Sequence, residues 1–425
     1  MQLKLKDEES PGRKYTMNSQ LDPMGMMYGD ADVYRVYSKK GCTWCEDAAT
    51  LLKKHDLPFE VVECSDLDNL RMRLGPLAPH VDVFPFITRS SSVVGGYHNL
   101  RDSLEEPLLR EDMARLSAFP IEMPDVFELY KKAVASFWTA DEINLRQDVD
   151  DFATLSKDEQ HFLSYVLAFF ASSDGIINEN IMGNFATEVQ KSEPRLFYAF
   201  QAFNEAEHNR TYSMLIDALI KDPEERDRLF NAILHVPAVK AKASWALKWF
   251  DRTTKRFAER LVAFACVEGI LFSGSFCAIF WLKSVHNGKM PGLSLSNQFI
   301  ARDEALHCEH AALLYRKLRN KLAQDEVEAI VSEAVENEKR FITEALPPSL
   351  IGINATLMAQ YIEFVADHLL LDLGHTKMYR ATNPFPFMEQ ISLQGKSNFF
   401  ETTVSEYSRA GIMGDFTNFS LDADF

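Results

Sequence analysis

The sequence predicts two architectures in one chain, a small α/β domain followed by an all-α helical bundle. Three observations carry the prediction. Short β-rich runs flank an amphipathic segment before residue 117, and almost everything from Asp125 to about Ile391 has helical period. Between these regions Pro120 and Pro124, in AFPIEMPD, punctuate the chain and mark a boundary near residue 117. At 425 residues there is room for two or three domains and a large buried core.

Taken in order, residues 1–31 are polar, rich in Met and Gly and without period, which predicts a flexible tail. In the α/β domain, 32–117, VYRVYS (33–38) reads as a strand and CEDAATLLKKHD (45–56) as an amphipathic helix. FEVVEC (59–64) reads as a second strand, and FPFITRSSSVVGG (84–96) as a hairpin ending in paired glycines. A helix around LRDSLEEPLLR follows. The bundle, 118–398, holds four helical segments longer than usual, beginning HFLSYVLAFF, EPRLFYAFQAF, FAERLVAFAC and SLSNQFIARDEAL. Residues 399–425 end in GDFTNFSLDADF, acidic with interspersed phenylalanines and no apolar stripe, and read as a flexible tail able to dock.

The net charge of −17 repels phosphate backbones and anionic headgroups, so neither nucleic acid nor a membrane surface is expected as a partner. The N-terminus mixes both signs of charge without an apolar run, so a cytoplasmic chain is expected. LVAFACVEGILFSGSFCAIFWL (261–282) is apolar enough for a membrane span, but Glu268 near its middle would be costly in lipid, and a central bundle helix fits better. Of six cysteines only Cys42 and Cys45 are close together, which suggests one redox motif in a reducing compartment.

The chemistry sits in acids and histidines on apolar helices. Glu205 and His208 are three apart in FNEAEHNRTY, hence on one helix face, and the same word recurs as Glu304 and His307 in DEALHCEH. Asp174 in FFASSDGIINEN and Glu268 in FACVEGILF each stand alone in apolar surroundings. Burying four carboxylates needs cations; two divalent ions would balance them while the imidazoles stay neutral. Oxygen and imidazole donors without thiolate favour iron or manganese. One acid from each of two helices and Glu-x-x-His from each of two others is the ferritin-like di-metal pattern. Glu207, two residues from Glu205, should point off this face into solvent. Tyr212 lies one turn beyond His208 on the same face, within reach of the metals. A core tyrosine is the plainer alternative, but Phe272, Phe276 and Ile300 share faces with the acids and could shield an oxidised phenol.

From about residue 118 to 425 the sequence closely resembles the radical-generating small subunit of class I ribonucleotide reductase, in its eukaryote-like branch. The words FPIEMPDVFELYKKAVASFWTADEINL, LAFFASSDGIINEN, VEGILFSGSF, IARDEALHC, TEALPPSLIGINATLMAQYIEFVAD and the terminal FSLDADF carry the resemblance. It implies a ferritin-like bundle with metal ligands Asp174, Glu205, His208, Glu268, Glu304 and His307, two iron ions or manganese in their place, and a stable radical on Tyr212. It further implies radical transfer from His208 through Asp303 and Trp138 to Tyr407 in the tail, a homodimer, and docking of the tail on the large subunit. An iron-storage bundle or a di-iron oxidase acting on its own substrate would need neither that route nor the tail.

Residues 32 to about 116 resemble a glutaredoxin, a thioredoxin-like fold, in KKGCTWC opening a helix, VFPF with a cis-Pro85, and VVGGY. Thr43 and Trp44 stand where the commonest pattern has proline and tyrosine. The helix N-terminus with Lys39 and Lys40 would lower the Cys42 pKa and make it the nucleophile, with Cys45 resolving. The resemblance implies glutathione as partner, at Lys39, Trp44, Val83, Pro85, Gly95 and Gly96, the glycines letting backbone approach its carboxylate.

Overall fold

The structure is a computed structural model and describes residues 33–388 apart from 80, 91, 253, 287 and 346–352. Both expected tails, Tyr407 and the expected end of the bundle lie outside the described residues. The described chain divides between Tyr97 and His98 into two compact units.

In the first unit β1 (Tyr34–Ser38), α1 (Thr43–Lys54), β2 (Phe59–Glu63), α2 (Leu67–Leu74), β3 (Phe86–Arg89) and β4 (Ser92–Gly95) follow in order. The sheet runs β2-β1-β3-β4, with β1 parallel to β2 and antiparallel to β3, and β3 antiparallel to β4. Alternation turns Tyr34 and Val36 of β1 inward, while α1 buries Cys45, Ala48, Leu51 and Leu52 on one face. The expected strands, helix and hairpin are all present. The additional helix α2 begins where the Asp66 carboxylate accepts from Asn69 N at 2.8 Å. The Phe84–Pro85 peptide is cis, as expected, and Gly95 has φ +107°, in a region that favours glycine.

Helix α3 (Tyr97–Glu105) begins at the division between the units. The division falls earlier than the boundary near 117, because the residues after Tyr97 bond to the helical unit. Asn99 Nδ2 donates to the carbonyls of Arg252 and Lys255, and Glu106 Oε2 accepts from Arg319 N at 2.9 Å.

The bundle comprises α4 (Pro124–Ala135), α5 (Arg146–Thr154), α6 (Lys157–Asn180), α7 (Ala186–Glu188), α8 (Ser192–Leu219), α9 (Pro223–Phe230) and α10 (Ala232–His235). It continues with α11 (Pro237–Lys248), α12 (Phe257–Cys266), α13 (Ser273–Val285), α14 (Pro291–Lys317), α15 (Gln324–Ala345) and α16 (Ala355–Asp372). Proline opens α4, α9, α11 and α14, where its missing N–H costs nothing. Ser156 and Glu159 form a capping box on α6. The buried Asp148 carboxylate accepts from Gly292 N and Leu293 N at 2.9 and 2.7 Å, capping α14. Gly292 is required there, since a Cβ would lie 2.6 Å from Asn144 O.

Two of the four long segments depart from continuous α-helix. A π turn, Ile181–Phe185, ends α6, and another, Val267–Leu271, separates α12 from α13. The span Phe257–Val285 is long and apolar enough to cross a membrane, and 94% of its most apolar window is buried inside the bundle. Its apolar character on every side is that of a central helix surrounded by others.

Candidate metal centre and dithiol site

Four helical elements converge on one buried cluster. Helix α6 contributes Asp174, α8 contributes Glu205 and His208, the π turn Val267–Leu271 contributes Glu268, and α14 contributes Glu304 and His307. None of the six is more than 3% exposed. Potential ligand atoms of Asp174, Glu205 and His208 lie within 4.8 Å of one another, as do those of Glu205, Glu268, Glu304 and His307, so Glu205 belongs to both groups. His208 Nδ1 is 3.1 Å from Glu304 Oε1, and His307 Nδ1 is 3.0 Å from Glu205 Oε1.

The donors fit a cation pair. Asp174 Oδ2, both oxygens of Glu205, Glu268 Oε2 and His208 Nδ1 are buried without a well-aligned hydrogen-bond partner among the described residues, a state that is costly unless something else satisfies them. Electrostatics say the same. Burial, then the neighbouring carboxylates, pushes Asp174 and Glu268 well above the usual carboxylate range. Burial opposes the charged imidazolium of His307, yet the hydrogen bonds it donates to Glu205 and Glu304 bring it up to about 9. For Glu304, burial is outweighed by His208 and His307, which hold it far below its ordinary value. The cluster without cations thus retains protons that metal would displace.

Tyr212 on α8 is 1% exposed, and its hydroxyl has no hydrogen-bond partner among the described residues. Burial and then the Asp174 charge push its pKa well up, keeping the phenol neutral. Phe170 stacks on it at 4.4 Å between centroids, and Phe272 and Phe276 pack against Phe170 at 5.6 and 5.0 Å. The expected apolar shielding therefore acts through Phe170, which sequence reasoning missed although it lies one turn before Asp174 on the same face. Gln201, one turn before Glu205, was also missed; its Nε2 donates to Glu268 Oε1 at 2.8 Å.

Asp303 is fully buried. Its Oδ2 accepts from Trp138 Nε1 at 2.7 Å and lies 3.2 Å from His208 Nε2, and the Trp138 and His208 rings stack at 6.0 Å. Burial would raise the Asp303 pKa, but the Arg302 charge and the His208 and Trp138 hydrogen bonds bring it below its ordinary value. Glu207 departs from expectation. Its side chain is 15% exposed, and Oε2 accepts from Ala140 N at 2.7 Å, tying α8 to the short 3-10 turn after Trp138.

In the first unit Cys42 and Cys45 form a disulfide at the start of α1, with Cα atoms 5.3 Å apart. Cys42 is partly exposed and Cys45 is buried, and Cys45 N points at Cys42 Sγ, 3.3 Å away. Of the six proposed glutathione residues, Lys39 lines an open cleft of about 460 Å³ with Asp66, Leu67, Asp68, Arg71, Asp82 and Phe84. Trp44 is half exposed and packs on Tyr97 at 5.0 Å; Pro85 and Gly95 are buried, and Val83 and Gly96 are partly so.

A helical core whose inward residues are two lone acids and two Glu-x-x-His pairs defines the ferritin-like carboxylate class, here joined in sequence to an α/β unit with a Cys-x-x-Cys disulfide. The chain belongs to the ribonucleotide reductase small-chain family, which it matches over residues 115–384, and it matches glutaredoxin over residues 35–87. Ribonucleoside-diphosphate reductase subunit M2 of Rattus norvegicus is 55% identical over 323 residues, 76% of this chain and 82% of the relative. The ribonucleoside-diphosphate reductase small chain of Nicotiana tabacum is 54% identical over 327 residues, 76% of this chain and 98% of the relative. Among solved structures, the ribonucleotide reductase Rnr4 homodimer from Saccharomyces cerevisiae is similar with TM-score 0.63 and 38% identity, over 70% of this chain and 95% of that one.

Proposed function

We propose that this small subunit of ribonucleoside-diphosphate reductase generates a radical on Tyr212 and passes it to the large subunit. Asp174, Glu205 and His208 would hold one metal ion, and Glu205, Glu268, Glu304 and His307 a second, iron or manganese. When bound, the ion pair would supply, with dioxygen, the oxidising power needed to remove one electron from Tyr212.

The protein's own residues govern the proton and the lifetime of the radical. The neutral phenol of Tyr212 must give up its proton, to a neighbouring carboxylate of the cluster, together with its electron, because a charged phenol is too costly in this apolar shell. Phe170, Phe272 and Phe276 keep water and reductants from the radical. The observation that carries the reading is the hydrogen-bonded line His208–Asp303–Trp138, which starts at a ligand. An ionised Asp303 holds the Trp138 N–H and can take its proton when the indole is oxidised. A ferroxidase or an oxidase with its own substrate would have no use for that line.

Tyr407 would continue the route in the C-terminal tail, which docks on the large subunit, and the small subunit would act as a homodimer in the cytoplasm. Glutathione, bound at Lys39, Trp44, Val83, Pro85, Gly95 and Gly96, would reduce the Cys42–Cys45 disulfide, making the first unit a reductant for the large subunit. Electron paramagnetic resonance of the iron-reconstituted protein tests the central step: a phenoxyl radical signal is expected, and its absence in fully iron-loaded protein overturns it.

A further inference from the structure

Lys242 in α11 is only 1% exposed, and Glu338 in α15 is fully buried. Lys242 Nζ donates to Glu338 Oε2 and to the carbonyl of Leu271, both at 2.5 Å. Glu338 Oε1 accepts from Gly274 N at 3.0 Å. Leu271 is the last residue of the π turn that carries Glu268, and Gly274 lies in the first turn of α13, where an amide lacks an intrahelical carbonyl. The pair therefore takes one backbone acceptor and one backbone donor, from the two sides of the junction between π turn and helix.

Stability alone is a poor reason for such a pair. Removing two charges from water costs so much that well-packed apolar replacements are often neutral or stabilising. What apolar residues cannot do is match a carbonyl and an amide at a helix junction. The surroundings fix the ammonium tightly, with the Phe169 and Phe341 ring centroids 3.3 and 4.0 Å from Nζ. Phe169 also packs against Phe170, the ring stacked on Tyr212, and against Phe272.

We propose that Lys242 and Glu338 are positioning residues for the metal centre, clamping the end of the π turn at Leu271 to the start of α13 at Gly274 so that the Glu268 carboxylate stands opposite Glu205, Glu304 and His307. The inference rests on reading that cluster as a metal centre. Neither residue touches the ligands; they act through the backbone of the turn. Outer residues that orient metal ligands typically change affinity by about 10- to 100-fold when replaced, and the lower end is expected for action through backbone.

The test is an oxygen-free titration of the metal-free full chain with Fe(II), in parallel with thermal melting of the metal-free protein. The variant K242M/E338L should fold and melt within a few degrees of the parent, yet bind Fe(II) about tenfold more weakly. Leu229→Ala in α9, a buried site apart from the turn, should lower the melting temperature and leave affinity unchanged, separating positioning from general weakening. Parental affinity in K242M/E338L overturns the inference alone; a parent that takes up no metal overturns the metal-centre reading on which it rests. If the double variant does not fold, Lys242→Met decides, because Glu338 can then be protonated and still hold Gly274. A several-fold loss of affinity is expected, and parental affinity, or failure of this variant to fold as well, overturns the proposal.

Discussion

In the proposed function, Tyr212 and the six cluster residues would divide the chemistry between a phenol and a set of proton-retaining metal ligands. Tyr212→Phe removes one oxygen that has no hydrogen-bond partner among the described residues, so the fold and both metals should remain while the radical and all reductase activity disappear. A residual phenoxyl signal with normal turnover would show that the radical forms elsewhere. Metal uptake should in turn release protons. Burial keeps Asp174 and Glu268 protonated well above their ordinary range, and the carboxylates hold His307 up to about 9. Metal displaces these protons, so apparent affinity for Fe(II) or Mn(II) should rise as pH increases toward 9 and fall as it decreases. Titrations at several pH values with an indicator dye measure both; a pH-independent affinity without proton release would contradict this electrostatic account. At this scale the sequence was most legible where spacing speaks, because two Glu-x-x-His pairs on apolar helices are hard to reconcile with surface decoration or a capped core histidine. Phe170 and Gln201 were missed because Phe and Gln on an apolar face look like ordinary packing. Glu207 was read by spacing alone, and no helical period reports that a neighbouring turn presents the free amide of Ala140.

At the scale of elements, the bundle was legible in order and approximate length, and the π turns were not. Residues 261–282 read as one uninterrupted apolar helix because burial on all sides selects apolar residues whether the backbone winds as α or π. The extra residue of a π turn shifts the direction of the side chains beside it, and such turns concentrate at functional sites. Here one carries Glu268. Gly274 comes just after it for a steric reason: a Cβ would stand 2.6 Å from both Glu338 Oε1 and Ile342 Cγ1. Gly274→Ala should therefore destabilise the protein by about 2 kcal/mol through overpacking, despite alanine's better helix propensity. Denaturant unfolding of the metal-free protein checks the sign; an alanine variant as stable as the parent would mean that α15 moves aside at no cost. The short helix α2 gave no sequence signal beyond its Asp66 cap, since LDNLRMRL buries only Leu70 and Leu74.

For the molecule as a whole, composition and motif order announced two folds in series, but the placement of residues 98–117 depended on hydrogen bonds between residues far apart in sequence, which prolines do not report. The acidic tail carries a prediction independent of the described structure. Deleting residues 419–425, FSLDADF, should abolish activity with the large subunit and leave the radical intact, because an aromatic, acidic segment can bind a groove by ordering on contact. Undiminished affinity for the large subunit would reduce it to solvated chain. The fusion itself suggests the last experiment. As the ribonucleotide reductase family implies, each turnover would leave a disulfide in the large subunit, and a dithiol would have to reduce it. A glutaredoxin tethered to the small subunit would act at a high effective concentration whenever the subunits meet, with no new contact needed. Glutathione and its reductase should therefore sustain turnover by the intact chain without any added redoxin. Cys42→Ser removes the more exposed sulfur of the disulfide and leaves the metal cluster untouched. It should end glutathione-driven turnover, while a small-molecule dithiol restores activity and the radical signal stays at the parent's level. Parental turnover of Cys42→Ser in glutathione alone would show that the first unit serves some purpose other than reduction.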